Sequence, residues 1–204
     1  MTNRDGSVAP PARRTHAERR QETRAKLVAA TIESLVEEGW SGTSTRAVAQ
    51  RAGVSQGAQQ HYFPTKRALV EAALEAILAE QNAAATTWDV PAAEEERVGF
   101  LLDRLWEIHC LPVNLAVQEL LTMARTDPET AESIGRLHAE AERAAITAGH
   151  TLLPTLGTHP DFPARVRTSV ATMRGIVAVA AVADPRESDL WPHARGVLLR
   201  GMPR

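Results

Sequence analysis

Cysteine is almost missing from this chain. Of 204 residues only Cys110 is a cysteine, so no internal disulfide can form and a reducing, cytoplasmic setting is expected. Long apolar runs are missing too. No stretch approaches the roughly 18 apolar residues of a membrane-spanning helix, so no membrane partner is expected. The first residues are polar and arginine-rich with no apolar stretch behind them, which does not fit a secretory signal. Lysine occurs twice, as Lys26 and Lys66, among 23 basic residues. With so much alanine, this arginine bias reads as a trace of a GC-rich genome rather than as chemistry.

Chemical signatures are equally sparse. The seven histidines (16, 61, 109, 138, 150, 159 and 193) include no i, i+4 pair, and there is no cysteine pair. A zinc site is therefore not expected, and no cofactor is implied. No glycine-rich phosphate loop or nucleophile elbow is present, so an enzyme is not expected. Glu94-Glu95-Glu96 reads as the acidic first turn of a helix, where the macrodipole favours negative charge.

The net charge of −2 hides an asymmetry. Residues 1–70 carry +5 and residues 71–204 carry −7. A basic end suited to a polyanion is joined to an acidic remainder. Residues 1–16 (MTNRDGSVAPPARRTH) have no periodicity and read as a disordered basic arm. Its Arg13 and Arg14 run on into Arg19 and Arg20. These four either neutralise flanking phosphates or form a solvated tail.

Beyond the arm no segment alternates with period two, and helical stripes recur instead. Leu27, Val28, Ile32, Leu35 and Val36 form one stripe in a helix from Ala17 to about Glu38, ended by Gly39. Ser44 can cap a short helix to Arg51, and Ser55 another from Gln56 to Tyr62. Pro64 stops that one, and Thr65 caps a fourth helix to about Gln81. Further helices are expected over about 92–110, 112–126, 128–150, 162–183 and 187–201. The fold class is all-α, with about nine helices. The expected division is the arm 1–16, a module over 17–82 and a larger helical domain over 83–204.

Function concentrates between Ser44 and Phe63. Two capped short helices meet at a turn holding Gly53. Ala49 is small enough for a steep helix crossing, and Val54 fills the space beneath the turn. This is the chemistry of a helix-turn-helix, whose second helix enters the major groove. That helix is polar, with Gln56, Gln59, Gln60, His61 and Tyr62 around the small Gly57 and Ala58. Glutamine can pair bidentately with adenine, and an alanine methyl suits the thymine methyl.

On these residues the chain resembles the TetR family of bacterial transcriptional regulators. The likeness runs over 21–82, through T-S-T-R-A-V-A-Q-R-A-G-V-S and Q-G-A-Q-Q-H-Y-F-P-T-K-R-A-L, and R-T-D-P-E at 125–129 also looks like what many members carry there. The resemblance implies a dimeric, ligand-responsive regulator, a repressor in the usual case, bound to a near-palindromic double-stranded DNA operator and released by a small-molecule inducer. It implies that Arg46 contacts phosphate or a base edge. Gln56, Gly57, Ala58, Gln60 and His61 would face the groove, and Tyr62 and Lys66 would grip phosphates. Gln59 departs from the family, where an inward leucine is common. A buried Gln59 needs partners, so either it reaches backbone groups or the helix is rotated. That departure keeps alive a second reading, a small-molecule-binding or interaction protein with a vestigial helix-turn-helix.

The resemblance also implies a ligand pocket, walled by 92–126 and 162–183. Phe100, Trp106, His109, Cys110, Met123 and Met173 are the candidate lining, although an aromatic or methionine on a helical stripe more often packs a core. A pocket this apolar suits a hydrophobic or amphipathic inducer. The face G-I-V-A-V-A-A-V (175–182), with Leu190, Trp191, Val197, Leu198 and Leu199, suits either a homodimer interface or burial within one subunit.

Overall fold

The computed structural model describes residues 15–125, 127–180 and 184–201. Arg13, Arg14 and the rest of the expected arm up to residue 14 lie outside the described residues. Among the described residues there are nine α-helices and no strand. They are α1 (His16–Gly42), α2 (Thr45–Arg51), α3 (Gln56–Tyr62), α4 (Lys66–Ala85), α5 (Glu94–His109), α6 (Pro112–Ala124), α7 (Pro128–Leu152), α8 (Phe162–Val179) and α9 (Leu190–Arg200). None is long and apolar enough to cross a membrane.

The caps set the boundaries. Thr15 and Glu18 form a reciprocal capping box at the start of α1. Ser44, Ser55 and Thr65 accept from the amides of Ala47, Ala58 and Ala68, satisfying N–H groups that the first turn leaves free. Helical hydrogen bonding resumes after Gly39, but Gly39 itself stands at φ 66° and interrupts α1 where the sequence places its end. α4 runs four residues past the expected Gln81, because alanines continue it, and Thr86 and Thr87 stop it by bonding the carbonyls of Ala83 and Ala84.

Three apolar cores organise the chain. Leu27, Val28, Val48, Phe63 and Leu69 hold α1–α4 together. Leu35, Val70, Leu74, Ala116, Leu120 and Ile134 join α1 and α4 to α6 and α7. Leu102, Trp106, Met173, Val177 and Trp191 join α5, α8 and α9. In the last core the Trp106 and Trp191 rings stack 4.7 Å apart at 8°. Each core draws on the stripe of several helices, so each helix is placed by at least two neighbours.

Candidate nucleic-acid interface and effector cavity

The turn between α2 and α3 is built from backbone bonds. The Gly53 amide donates to Gln50 O at 3.1 Å and the Val54 amide to Ala49 O at 3.0 Å. Gly53 takes φ 65°, a left-handed conformation that favours glycine. Val48 and Ala49 are buried beneath it. Arg51 anchors α2 to α1 through Glu37 at 2.7 Å and Glu38 at 2.9 Å.

Gln59 points inward and is 1% exposed. Its amide nitrogen donates to Phe63 O at 2.6 Å, and its amide oxygen accepts from Gln56 Nε2 at 2.9 Å. Of the two alternatives, the chain adopts the one in which Gln59 reaches a backbone group, so α3 needs no rotation. Gln60, Gln56, Gly57 and His61 share the exposed side, and Ala58 is half-buried. The Gln56 amide is turned back onto Gln59, which leaves Gln60 and His61 as the side chains standing clear of α3. His61 meets the half-buried Tyr62 ring edge-on at 5.3 Å. Arg46 is exposed on α2, and Arg19 and Arg20 are exposed on α1.

The Lys66 ammonium is engaged within the chain. It donates to Trp40 O and lies 4.1 Å from the centre of the Trp40 ring. Burial pushes its pKa down, while the Glu119 carboxylate works the other way. This contact ties the first turn of α4 to the end of α1. Glu119 of α6 completes the joint by accepting from the Trp40 amide at 3.2 Å. Trp40 and Glu119 carry no sequence motif, and only the break at Gly39 hints at a junction there.

A cavity of about 690 Å³ opens among α4, α5, α6, α7 and α8. Its wall is largely aliphatic, from Leu78, Leu101, Leu105, Leu137, Val166 and Val170. The two expected segments do wall it, but α4 and α7 contribute as much. Of the six candidate lining residues only His109 lines it. Trp106, Cys110 and Met173 are buried on the opposite side of their helices, in the core around Trp191. Phe100 stands behind the wall, edge-on to the lining Trp88 at 6.2 Å. Met123 on α6 also lies off the lining. Trp106 of α5 stacks on Trp191 of α9 over Met173 of α8 and fills that space, so the cavity forms instead where aliphatic faces diverge. Polar lining comes from Gln81, Asn114, His138 and Arg174, none of which forms a recognisable motif.

Residues 27–73, which hold α2, α3 and the ends of α1 and α4 packed on them, match the family model "Bacterial regulatory proteins, tetR family". The chain is also 37% identical over 130 residues to the HTH-type transcriptional regulator CymR of Pseudomonas putida, covering 62% of this chain and 63% of CymR. Residues 27–73 thus carry the DNA-binding module of the TetR family. The match spans just under two thirds of CymR's own length, and a second relative is covered further. An HTH-type transcriptional regulator of Mycobacterium bovis is 29% identical over 173 residues, 83% of this chain and 88% of that one. Among solved TetR-like structures, the multidrug binding protein EbrR complexed with imidazole superposes with a TM-score of 0.65 at 26% identity, over 97% of this chain and 98% of EbrR. The all-α architecture of a TetR protein, helix-turn-helix first and helical domain after it, is thus the architecture of this chain.

Proposed function

We propose that this chain is a ligand-responsive transcriptional regulator of the TetR family that binds a near-palindromic operator as a homodimer and lets go when an apolar or amphipathic molecule fills the cavity. The observation that carries the reading is one helix, α6. It lends Asn114, Val117 and Leu121 to the cavity wall and Glu119 to the Trp40 joint beside the helix-turn-helix. Space taken in the cavity therefore acts on the same element that fixes the end of α1. A ligand with different affinity for two positions of α6 shifts the spacing of the paired recognition helices, set at about 34 Å for successive major grooves.

In this reading Gln60 and His61 read base edges, while Gln56, Gly57 and Ala58 bring the backbone close. Arg46 and Tyr62 hold phosphates, and Lys66 is left out. EbrR, a multidrug binding protein of the same fold, has been solved complexed with imidazole and with ethidium. The competing reading, a vestigial helix-turn-helix, drew on Gln59 alone, and with both ends of that amide engaged no observation favours it.

The test is a gel shift on the DNA flanking the chain's own gene, against scrambled DNA of equal length. Arg46→Ala should weaken both and lower the salt slope by about one. Gln60→Ala should cost about 1–3 kcal/mol on the operator and little on scrambled DNA. Equal losses on both for Gln60→Ala, or no salt-sensitive binding by the parent chain, would overturn the reading.

A further inference from the structure

Among the described residues, Arg174 lines the cavity wall without a salt bridge, and the nearest carboxylate, Glu142, is held by Arg167. Arg174 on α8 is the single charged residue between Arg167 and Asp184, set in the apolar run Met173 to Val179. Two other guanidiniums of the same region hold carboxylates, and a third, Arg165, has a backbone carbonyl and a buried Nε without a partner. Arg167 pairs with Glu142 at 2.7 Å, and Arg195 holds Asp103 through two bonds of 2.6 and 2.8 Å. The lining Arg165 donates to Gly201 O. Arg174 instead meets the His138 ring, with Nη1 to Nδ1 at 3.2 Å.

That contact has a direction. A guanidinium only donates, so Nδ1 of His138 accepts, and the imidazole is neutral with its proton on Nε2. Neutral His138 cannot balance the Arg174 charge. Burial pushes the Arg174 pKa down, and the nearby Glu142, already engaged by Arg167, offsets only part of it. Arg174 is half-buried, and a charge drawn partly out of water is unfavourable unless something pairs with it. Arg174, His109, Asn114, Val117 and Leu121 also bound a recess of about 20 Å³ continuous with the large cavity. A space of this size takes roughly one water-sized group. Across the cavity the Gln81 amide nitrogen is buried without a hydrogen-bond partner.

We propose that the molecule filling this cavity is an amphipathic carboxylate, its single negative charge on Arg174 at the recess and its apolar body along the aliphatic wall. This rests on the ligand-responsive reading above and names its ligand class. A carboxylate suits the planar fork of arginine bidentately. One negative charge balances the site, whereas a phosphate dianion beside Glu142 leaves an excess.

The experiment is direct calorimetric binding to the full chain without DNA. The probes are decanoate and phenylbutyrate, each against the alcohol and the amine of the same skeleton. The carboxylates should bind at least about tenfold more tightly than the alcohols, and the amines should bind weakest. Arg174→Gln should erase the carboxylate preference, and Arg174→Lys should keep most of it. A second readout needs no ligand: Arg174→Met should raise the melting temperature of the free protein, because a half-buried charge without a salt bridge is removed. Alcohol or amine binding as tight as carboxylate, a preference that survives Arg174→Gln, or a lower melting temperature for Arg174→Met would each overturn the proposal. Failure of the broader reading looks different: the parent chain then binds no operator, whatever its cavity prefers.

Discussion

At the scale of single residues, two glycines in the helix-turn-helix serve different ends. Gly53 occupies a left-handed turn, and a Cβ there meets nothing within 4 Å. Alanine at 53 therefore costs only the backbone term, about 1–2 kcal/mol. Gly57 has an ordinary helical conformation and equally open surroundings. There alanine should stabilise the free protein by about 0.5–1 kcal/mol. If the backbone of α3 approaches the duplex at Gly57, the same substitution weakens operator binding at least tenfold. Thermal melts and gel shifts on one Gly57→Ala preparation check both signs, and unchanged operator affinity removes Gly57 from the interface. His109 gives a pH dependence. Burial, helped by the Arg174 charge, lowers its pKa despite its bond to Leu105 O at 2.7 Å. The unfolded chain protonates this ring at about 6.5 while the folded chain withholds the proton, so stability falls as pH drops below about 6.5. Melting temperatures between about pH 7.5 and pH 5.5 should fall less for His109→Gln than for the parent. Equal slopes would mean that His109 does not set the acid limb.

At the scale of elements, what was legible in the sequence follows from how local its cause is. Caps, stripes and the Gly53 turn are decided within a few residues, so α1 to α4 can be read directly, whereas the inward turn of Gln59 waits on its partner Phe63 O. The cavity depends on which faces of α4, α5, α7 and α8 diverge, and that is decided by residues far apart in the chain. Trp106 and Met173 were natural pocket candidates because an apolar stripe does not say whether it meets a partner or a void. Arg174 did carry a signal, the one charge in the apolar C-terminal half of α8. The Trp40 joint carried none, since a backbone amide and carbonyl supply two of its bonds. Its consequence concerns α6. Glu119→Ala removes the acceptor of the Trp40 amide and one neighbour of the Lys66 charge. A hydrogen bond to a charged group contributes about 1.5–3 kcal/mol. Amide exchange at Trp40 should therefore speed up by tenfold or more in Glu119→Ala, and operator affinity should fall. Glu119→Gln, which keeps an acceptor oxygen, should stay near the parent. Exchange at Trp40 that does not respond to Glu119→Ala would mean that the joint is not held by this contact.

At the scale of the molecule, the charge split and the exposed apolar surface lie toward opposite ends of the chain. The +5 of residues 1–70 accompanies the recognition helix, and the −7 of residues 71–204 accompanies α5 to α9. DNA attracts the first and repels the second, which orients each subunit on the duplex. Far from that basic end, α8 and α9 leave large aliphatics in water. Val179 is 76% exposed, Val197 61% and Leu190 47%, beside the small exposed Ala171, Gly175 and Ala178. In the proposed homodimer this surface would meet its own copy, since a two-fold axis brings the same residues of both subunits together. Substituting one residue near such an axis then acts twice. Val197→Glu places two carboxylates across a desolvated contact, where like charges repel strongly. The parent chain should sediment as a dimer, and Val197→Glu as a monomer with an unchanged helical spectrum. Operator binding should be lost at concentrations that saturate the parent, since one helix-turn-helix makes half the phosphate and base contacts. Arg46→Ala should weaken binding and leave the dimer intact, which separates the two routes to lost affinity. A Val197→Glu chain that still sediments as a dimer would move the interface away from α8 and α9.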